Sequence, residues 1–390
     1  MTSPALSVAA LIAASALSAT GALVFNIFPL FLSAIAGQFG FDDEQLGLLG
    51  SAYLGGFSLV ALTAVYWITR IPWKIAGVAG VIVICLSVLA LYRVQVPELI
   101  NAVVALFGAG SCVIFTISLR VLSHARDIDR AYGIKLCAEM ILAGTVMFVM
   151  SSYVLSAFGF TGFITGLALV YAVSGFALIW LPQAGDFEPV ENQALTRLLF
   201  TRGALPAWLA SAALFMQFAV MSALWGFMER IGTSAGVADS VGNVLTLALV
   251  AGLGGAFLAV LLGDRFGQLK PLSACFVVIV AAVGLLINGN GVVVYALCAC
   301  LISAALQFVV AYQMGLITAL DRHEVFTTLI PFFLAAGGAV GPGVAGLMLD
   351  GTGFTPVYMV AVVVTIICLL ITLCVVKLVP STELQPVGLI

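Results

Sequence analysis

Charged residues are scarce in this chain, and their scarcity indicates which solvent surrounds it. Lysine, arginine, aspartate and glutamate together make up 8% of the 390 residues, whereas hydrophobic residues make up 63% and the mean hydropathy is +1.24. So little polar surface cannot cover a water-soluble globule of this size. We therefore predict an integral membrane protein that has the lipid bilayer as its main partner.

The sequence also lacks the motifs of catalysis and of nucleotide binding. Its two histidines, His124 and His323, are predicted to lie in loops, and no Ser-His-Asp, G-x-S-x-G, Walker-type or metal-ligand spacing is present. The net charge of -3 is spread over loops and offers no basic face to nucleic acid. We therefore expect neither an enzyme nor a cofactor or metal, and no ATP-driven transport within this chain.

Cysteine is present, but not in the pattern of a disulfide or zinc framework. All eight cysteines fall within apolar runs, where cysteine behaves as a small hydrophobic residue. Cys298 and Cys300 are two residues apart and point away from each other on a helix, so they are not predicted to share a metal.

Long apolar runs are what the sequence has in abundance. Each run of about 20 residues is long enough to cross a bilayer core as a helix. The chain has no basic residue before Arg70, and its first apolar run is longer than the apolar part of a signal peptide. We therefore interpret that run as the first span. The predicted spans are residues 6–36, 45–68, 75–95, 99–121, 133–157, 161–182, 205–230, 237–262, 271–288, 291–318, 326–348 and 355–378.

Basic residues in the connecting loops predict the orientation. With a cytoplasmic N-terminus, most loop arginines and lysines fall on the inner side, and the outer side has Arg93 and Arg230. Both termini are then cytoplasmic. The longest polar linker, residues 184–203, is also predicted to be cytoplasmic, and it separates a first six-helix bundle (1–183) from a second (204–390).

Short matches between the two halves indicate an internal repeat, which is how many transporters build their sites. Asp129-Arg130 before span five matches Asp321-Arg322 before span eleven. Leu54-Gly55-Gly56 in span two matches Leu253-Gly254-Gly255 in span eight. The predicted fold is therefore all-α, with twelve transmembrane helices in two pseudo-symmetric bundles.

Two loop and helix motifs carry a resemblance to a known family. The stretch Gly263-Asp264-Arg265-Phe266-Gly267-Gln268-Leu269-Lys270 resembles the D-R-x-G-R-K loop of the major facilitator superfamily, with Gln268 in place of an arginine. The corresponding first-half loop, 69–74, keeps only its basic ends. Gly337-x-x-x-Gly341-Pro342-x-x-Ala345-Gly346 resembles that superfamily's antiporter motif, although the motif belongs to span five and lies here on span eleven. Span four has Val104 where the proton-antiporter pattern has an arginine.

The resemblance extends over essentially the whole chain. It implies the two-bundle fold of that superfamily, transport by alternating access, and a cavity lined by spans one, four, seven and ten. Six polar or aromatic residues on three of these spans are the substrate-binding candidates. They are Asn26, Gln217, Trp225, Gln307, Tyr312 and Gln313. Amides and phenols bind a ligand without the cost of a buried charge, but each of them could instead bond a neighbouring helix.

Candidate gating residues lie nearer the membrane surfaces and at one helix bend. Asp264 and Arg265 form the predicted latch loop, Glu229 and Arg230 form either an outer gate or an interfacial pair, and Gly341 and Pro342 form either a hinge or a close helix contact.

Three charges lie inside apolar spans, where an ion costs several kcal/mol unless it is paired or hydrated. Arg120 is near the inner end of span four, and Glu139 lies at a similar depth in span five, so the two could pair. Lys135 is four residues before Glu139 on the same helical face and offers a second cation. The alternatives are that Lys135 reaches the headgroups and that Arg120 follows the positive-inside bias. Neither alternative accounts for Glu139.

These observations predict a monomeric secondary transporter of the cytoplasmic membrane. It would move a small organic solute by alternating access and take up protons at Glu139, with Arg120 and Lys135 as its cations. Two alternatives remain open at this point: an organic-anion uptake symporter or uniporter that binds a carboxylate through Arg120 and Lys135, and a membrane sensor that kept the fold without transport.

Overall fold

The computed structural model of the chain describes residues 7–68, 70–122, 125, 128–182, 202–263, 265–289, 291–321, 325–349 and 353–378. Within these ranges every regular element is a helix. This agrees with a bilayer environment, in which a helix satisfies its own backbone hydrogen bonds. The chain folds as two compact units, Met1–Glu188 and Pro189–Ile390.

The first unit holds eight α-helices in its described part. They are α1 (Val8–Gly21), α2 (Leu23–Asn26), α3 (Phe28–Phe39), α4 (Asp43–Trp67), α5 (Trp73–Ala90), α6 (Pro97–Leu122), α7 (Ile128–Val149) and α8 (Leu155–Gly175). A π-helical turn, Met150–Val154, joins α7 to α8, and a 3₁₀ turn, Phe176–Trp180, ends α8. Helix α4 begins with a capping box, in which Asp42 Oδ1 accepts from the Gln45 N–H at 2.8 Å.

The first predicted span, 6–36, is not one continuous helix. It is broken at Ala22 and at Ile27, which separate α1, α2 and α3. Pro29 sits in the first turn of α3, where a missing N–H removes no helical hydrogen bond. Helix α3 ends at Gly40, which has a φ of 70°.

A glycine separates predicted spans five and six. The apolar stretch from Ile134 to Trp180 is 47 residues long, and Gly159 interrupts its helix with φ 58° and ψ -154°. Only glycine reaches this backbone region readily. In the described residues, ten helices are long and apolar enough to cross a membrane when this stretch counts as one. Twelve crossings therefore remain a prediction.

The second unit has seven α-helices in the part of it that the structure describes. They are α9 (Leu205–Gly226), α10 (Met228–Ser234), α11 (Val241–Leu262), α12 (Leu269–Asn288), α13 (Val292–Leu320), α14 (Val325–Leu347) and α15 (Thr355–Leu378). Short 3₁₀ turns precede α9 and α11.

The repeat seen in the sequence corresponds to repeated packing. Helix α4 lies so close to α6 that a Cβ at Gly56 would overlap the carbonyl oxygen of Ala105. Helix α11 packs on α13 in the same way, with Gly255 against the carbonyl oxygen of Ala304. Each glycine precedes its alanine by the same number of residues. Small residues that let helix backbones touch are the usual basis of helix association in lipid.

Candidate functional site

The deepest charges of the first unit form an ion pair on α7. Lys135 Nζ lies 2.7 Å from Glu139 Oε1, and the two side chains are 11% and 6% exposed. The four-residue spacing places both on one face of the helix. At 1.5 Å per residue, Glu139 lies about 16 Å along the axis from the start of α7, so neither its carboxylate nor its cation is at a helix end. The predicted juxtaposition of Lys135 and Glu139 is therefore present.

A serine on α1 completes this site. Ser18 Oγ donates a hydrogen bond to Glu139 Oε1 at 2.5 Å, and both side chains are buried. Helix α1 packs along both α6 and α7, which brings a residue far away in sequence to the carboxylate. No sequence pattern distinguishes Ser18, because serines in membrane helices commonly bond only their own backbone.

Helix α6 supplies the third wall of the same site. Lys135 Nζ lies 5.0 Å from the ring centroid of Phe115, within the range of a cation–π interaction. Gly21 lets α1 approach α6 at this level, since a Cβ there would lie 2.8 Å from Phe115 Cβ. We call Ser18, Phe115, Lys135 and Glu139 the carboxylate site. A buried ion pair with additional polar and aromatic partners offsets part of its desolvation.

Arg120 is not among the described contacts of the carboxylate. It is half-buried in the last turn of α6, where a cation is favoured by the helix dipole. Among the described residues, Lys135 is the cation recorded in contact with Glu139.

Two of the predicted substrate-binding residues bind or contact a neighbouring helix in the second unit. The Tyr312 hydroxyl donates to the carbonyl of Gly263 at 2.8 Å, at the end of α11, and its ring stacks on Phe308 with 4.7 Å between centroids. Gln307 lies beside Gly252 of α11, where an added Cβ would be 3.6 Å from its Cγ. Both contacts fit the alternative in which these side chains join α13 to α11.

Two other candidates, Gln217 on α9 and Gln313 on α13, are in a different situation. They are 1% and 2% exposed. Neither the nitrogen nor the oxygen of either carboxamide has a hydrogen-bond partner among the described residues. Such groups are rare in proteins unless a ligand or water supplies the partner. Asn26, the last residue of α2, and Trp225, near the end of α9, are buried as well.

The structure places three of the six predicted gating residues at helix ends. Asp264 lies outside the described residues, while Arg265 is exposed in the turn after α11. Glu229 and Arg230 are half-buried in the first turn of α10, next to a break at Phe227. Gly341 and Pro342 are buried inside α14.

An apolar cavity of about 210 Å³ lies between α9, α14 and α15 in the second unit. Its walls are hydrophobic, including Phe215, Val344 and Val360, and Gly341 is part of its lining. None of the predicted substrate-binding residues lines it. No cluster of three metal-ligating side chains occurs in the described ranges, and all eight cysteines are free thiols.

Comparisons with known proteins support the resemblance seen in the sequence. A family profile described as Major Facilitator Superfamily matches residues 11–320. A variant of the nucleoside transporter NupG is similar in structure, with a TM-score of 0.73 and 15% identity over 95% of this chain and 100% of that one. A second NupG structure has a TM-score of 0.68 and 15% identity, over 94% of this chain and 98% of that one. FucP, a transporter of the same superfamily in an outward conformation, has a TM-score of 0.64 and 17% identity, over 94% of this chain and 98% of that one. No curated protein sequence matches the chain.

Proposed function

Because the chain belongs to the Major Facilitator Superfamily, we propose that it is a secondary active transporter of the cytoplasmic membrane that moves a small organic solute by alternating access and is coupled to protons at Glu139. The observation that carries the coupling is the buried contact of Glu139 with Lys135 and Ser18. An ion pair at this depth adds little net stability compared with apolar residues of similar volume, so stability alone does not account for it.

Protonation of Glu139 is a local change with consequences for three helices. In the ionised state the carboxylate holds Lys135 on its own helix and Ser18 on α1. A proton on the carboxylate removes its attraction to the ammonium group and turns the acceptor of the Ser18 hydrogen bond into a weaker one. The contact between α1 and α7 is then weakened, and Lys135 needs another partner. A proton can therefore change the relative stability of two conformations that differ in this contact.

The break in the first span favours this proposal. Helix α1 ends one residue before the break at Ala22, four residues after Ser18. A short helical segment can move relative to α7 without moving α3, because the break absorbs the change in backbone direction. We assign the titrating role to Glu139 and the positioning role to Ser18, with Lys135 as the counter-charge that is exchanged.

The solute is proposed to be small and organic on the strength of family membership. The NupG structures are described as those of a nucleoside transporter, which fits an organic solute. We further propose that both termini and the 184–203 linker face the cytoplasm, since that orientation places most basic loop residues inside. Asp264 with Arg265, Glu229 with Arg230, and the Gly341–Pro342 bend are the proposed gating elements.

The test is transport by purified protein in liposomes, with solute entry and a pH-sensitive dye followed together. A solute that exchanges by counterflow is selected first, and a pH gradient is then imposed. We expect Glu139→Gln to keep exchange but to lose gradient-driven accumulation, because the amide resembles the protonated acid. Glu98→Gln is the matched control, since Glu98 is exposed at the start of α6.

The outcomes separate the possibilities. Accumulation by Glu139→Gln equal to that of the parent would remove Glu139 from coupling. Solute binding without exchange by the parent protein would favour the sensor. Exchange that requires an anionic solute and fails in Arg120→Ala and Lys135→Ala would favour the organic-anion carrier.

A further inference from the structure

The two glutamines without partners in the described part of the chain each interrupt an apolar stripe. On α9 the residues Ala210, Leu214, Gln217, Met221 and Leu224 recur at intervals of three and four, so they share one helical face. On α13 the corresponding stripe is Tyr295, Ile302, Leu306, Val309, Gln313 and Ile317. Every member of both stripes is buried. Each glutamine is the one residue of its stripe that carries a carboxamide.

The two stripes face each other within the second unit. Tyr295 Oη donates to the carbonyl of Met228 at 2.8 Å, just beyond the end of α9, so the start of α13 lies beside the end of α9. Towards the other end, Leu214 and Ile317 belong to one apolar cluster. The helices are therefore antiparallel and in contact through these faces.

This arrangement places the two glutamines on facing helices, about 10 Å apart along the helix axes. Gln217 on α9 lies 11 residues before Met228, and Gln313 on α13 lies 18 residues after Tyr295, which places them about 16 Å and about 27 Å from the Tyr295–Met228 contact. Side chains on a helix lean towards its N-terminus. On antiparallel helices Gln217 and Gln313 then lean towards each other.

Fold stability does not explain such a pair. Four polar atoms are buried without a hydrogen bond to any residue in the described part of the chain. Leaving a polar group unsatisfied in the interior is unfavourable, and an apolar residue of the same shape would not incur that loss. The pair therefore fits a site whose missing partner is a ligand.

We propose that Gln217 and Gln313 together bind the uncharged part of the transported solute, a group that presents a hydrogen-bond donor beside an acceptor, such as a ring amide or two neighbouring hydroxyls. This inference rests on the proposed transport function and adds the substrate class to it. Each carboxamide offers two N–H donors and one carbonyl acceptor. A ligand with both donor and acceptor satisfies nitrogen and oxygen alike, whereas an anion would leave the two carbonyl oxygens unmatched.

The surroundings of the pair agree with an uncharged ligand group. In the described residues of the second unit, the buried polar side chains carry hydroxyl, carboxamide, indole or thiol groups, and no buried carboxylate, ammonium or guanidinium group is among them. A charged group placed there would have no buried counter-ion from these residues. Over the described ranges of the whole chain, the buried charged side chains are Lys135 and Glu139 of the carboxylate site in the first unit.

Binding is measured calorimetrically in detergent at one pH, without any gradient, so that coupling does not enter the result. The probes are two matched pairs, uracil with orotate and glucose with gluconate, in which the second member adds a carboxylate. We expect a neutral member to bind at least about tenfold more tightly than its anion. Gln217→Leu and Gln313→Leu should each weaken that binding by about tenfold or more, and the double variant should lose little beyond either one. Gln38→Leu, at an exposed position at the end of α3, is the control.

A second measurement guards against variants that merely fold badly. Without ligand, Gln217→Leu and Gln313→Leu should unfold at or above the temperature of the parent, because each removes two unsatisfied polar atoms. Preferred binding of the anions, absence of binding by both neutral probes, or a clear drop in unfolding temperature would each overturn the proposal. Because no pH gradient is used, this experiment does not test the proposed coupling at Glu139, which the liposome assay tests separately.

Discussion

Helices α1 and α7 in the first unit, and helices α9 and α14 in the second, belong to corresponding predicted spans, yet they are joined by different chemistry. In the first unit the contact is polar and includes a buried carboxylate, with Ser18 of α1 bonded to Glu139 of α7. In the second unit the contact is made by backbone against backbone. A Cβ at Gly337 would overlap the carbonyl oxygen of Phe215, and one at Gly341 would overlap that of Ala219.

Each of the two contacts includes a serine hydroxyl that donates to the other helix, but the acceptors differ. Ser222 of α9 donates to the carbonyl oxygen of Gly338 on α14 at 3.1 Å and to Ala219 of its own helix at 3.0 Å. These acceptors are neutral and cannot take up a proton at physiological pH. The acceptor of Ser18 is a carboxylate, which can.

The difference separates a titratable contact from a fixed one. A contact held by glycines depends on shape, and it changes only if the helices part. A contact held by a carboxylate, a cation and a hydroxyl depends on the number of bound protons. If the protein is a proton-coupled transporter, the first unit then carries the pH-dependent element. The following variants test that contrast, in order of decreasing expected effect.

Lys135→Met is expected to have the largest effect, because it leaves the buried carboxylate of Glu139 without its cation. Removing one partner of a buried ion pair typically costs about 3–5 kcal/mol, part of which is recovered if the carboxyl binds a proton. We expect a lower unfolding temperature at high pH than at low pH, measured by thiol-reactive dye labelling of buried cysteines such as Cys298.

The double variant Lys135→Met/Glu139→Gln supplies the control for that prediction. It removes both charges, so it should be more stable than Lys135→Met alone and should lose the dependence on pH. Equal instability of the two variants would show that Lys135 acts through packing on Phe115 rather than through charge.

Ser18→Ala is expected to cost about 1.5–3 kcal/mol, the range for a hydrogen bond to a charged group. Its more informative effect is on pH. The hydroxyl donates to the carboxylate that is proposed to bind the proton, so its removal should move the midpoint of gradient-driven transport. Ser15→Ala is the matched control, since Ser15 is buried one turn earlier on α1 and its hydroxyl has no bond within the described ranges. An unmoved midpoint in Ser18→Ala would contradict the positioning role.

The sequence was enough to predict the Lys135–Glu139 contact of the carboxylate site. It was not enough to predict that Ser18 is a hydrogen-bond partner of Glu139. The four-residue spacing of Lys135 and Glu139 on an apolar helix predicted their contact, because helical geometry fixes it. Whether Arg120 or Ser18 reaches Glu139 depends on how helices pack, which local spacing does not encode. The same limit explains why Tyr312, a substrate-binding candidate, is bonded to the end of α11.

For the fold, too, local features were predictable from the sequence and changes of helix direction were not. Apolar run lengths predicted most helices to within a few residues, and paired glycines at Gly56 and Gly255 indicated a repeat that the packing reproduces. The breaks at Ala22 and Ile27 were missed, because neither residue is a strong helix breaker and hydropathy does not register a change of backbone direction. The Gly159 break coincides with the gap that was predicted between spans five and six.

Gly341→Ala tests the glycine contact and is expected to cost about 1–3 kcal/mol, the usual range for overpacking. The added Cβ meets a backbone carbonyl, which cannot rotate away as a side chain would. The loss should be the same at all pH values. Gly144→Ala on α7 is the matched control, because a Cβ there meets nothing within 4 Å, and it should not be destabilising. A strong pH dependence in Gly341→Ala would contradict the view of this contact as fixed.

Ser222→Ala is expected to have the smallest effect, about 0.6 kcal/mol, because hydrogen bonds between membrane helices to neutral acceptors are weak on average. Ser211→Ala on the same helix is the control, since its buried hydroxyl has no partner in the part of the chain that the structure describes.

The sharper test combines two changes. A Cβ at position 341 would meet Ser222 Oγ as well as the Ala219 carbonyl, so removing the hydroxyl relieves one of two overlaps. The variant Gly341→Ala/Ser222→Ala should therefore lose less stability than the two single variants together, while remaining less stable than the parent. Strict additivity would mean that the hydroxyl already moves aside, and the close approach of α9 and α14 would then depend on the backbone alone.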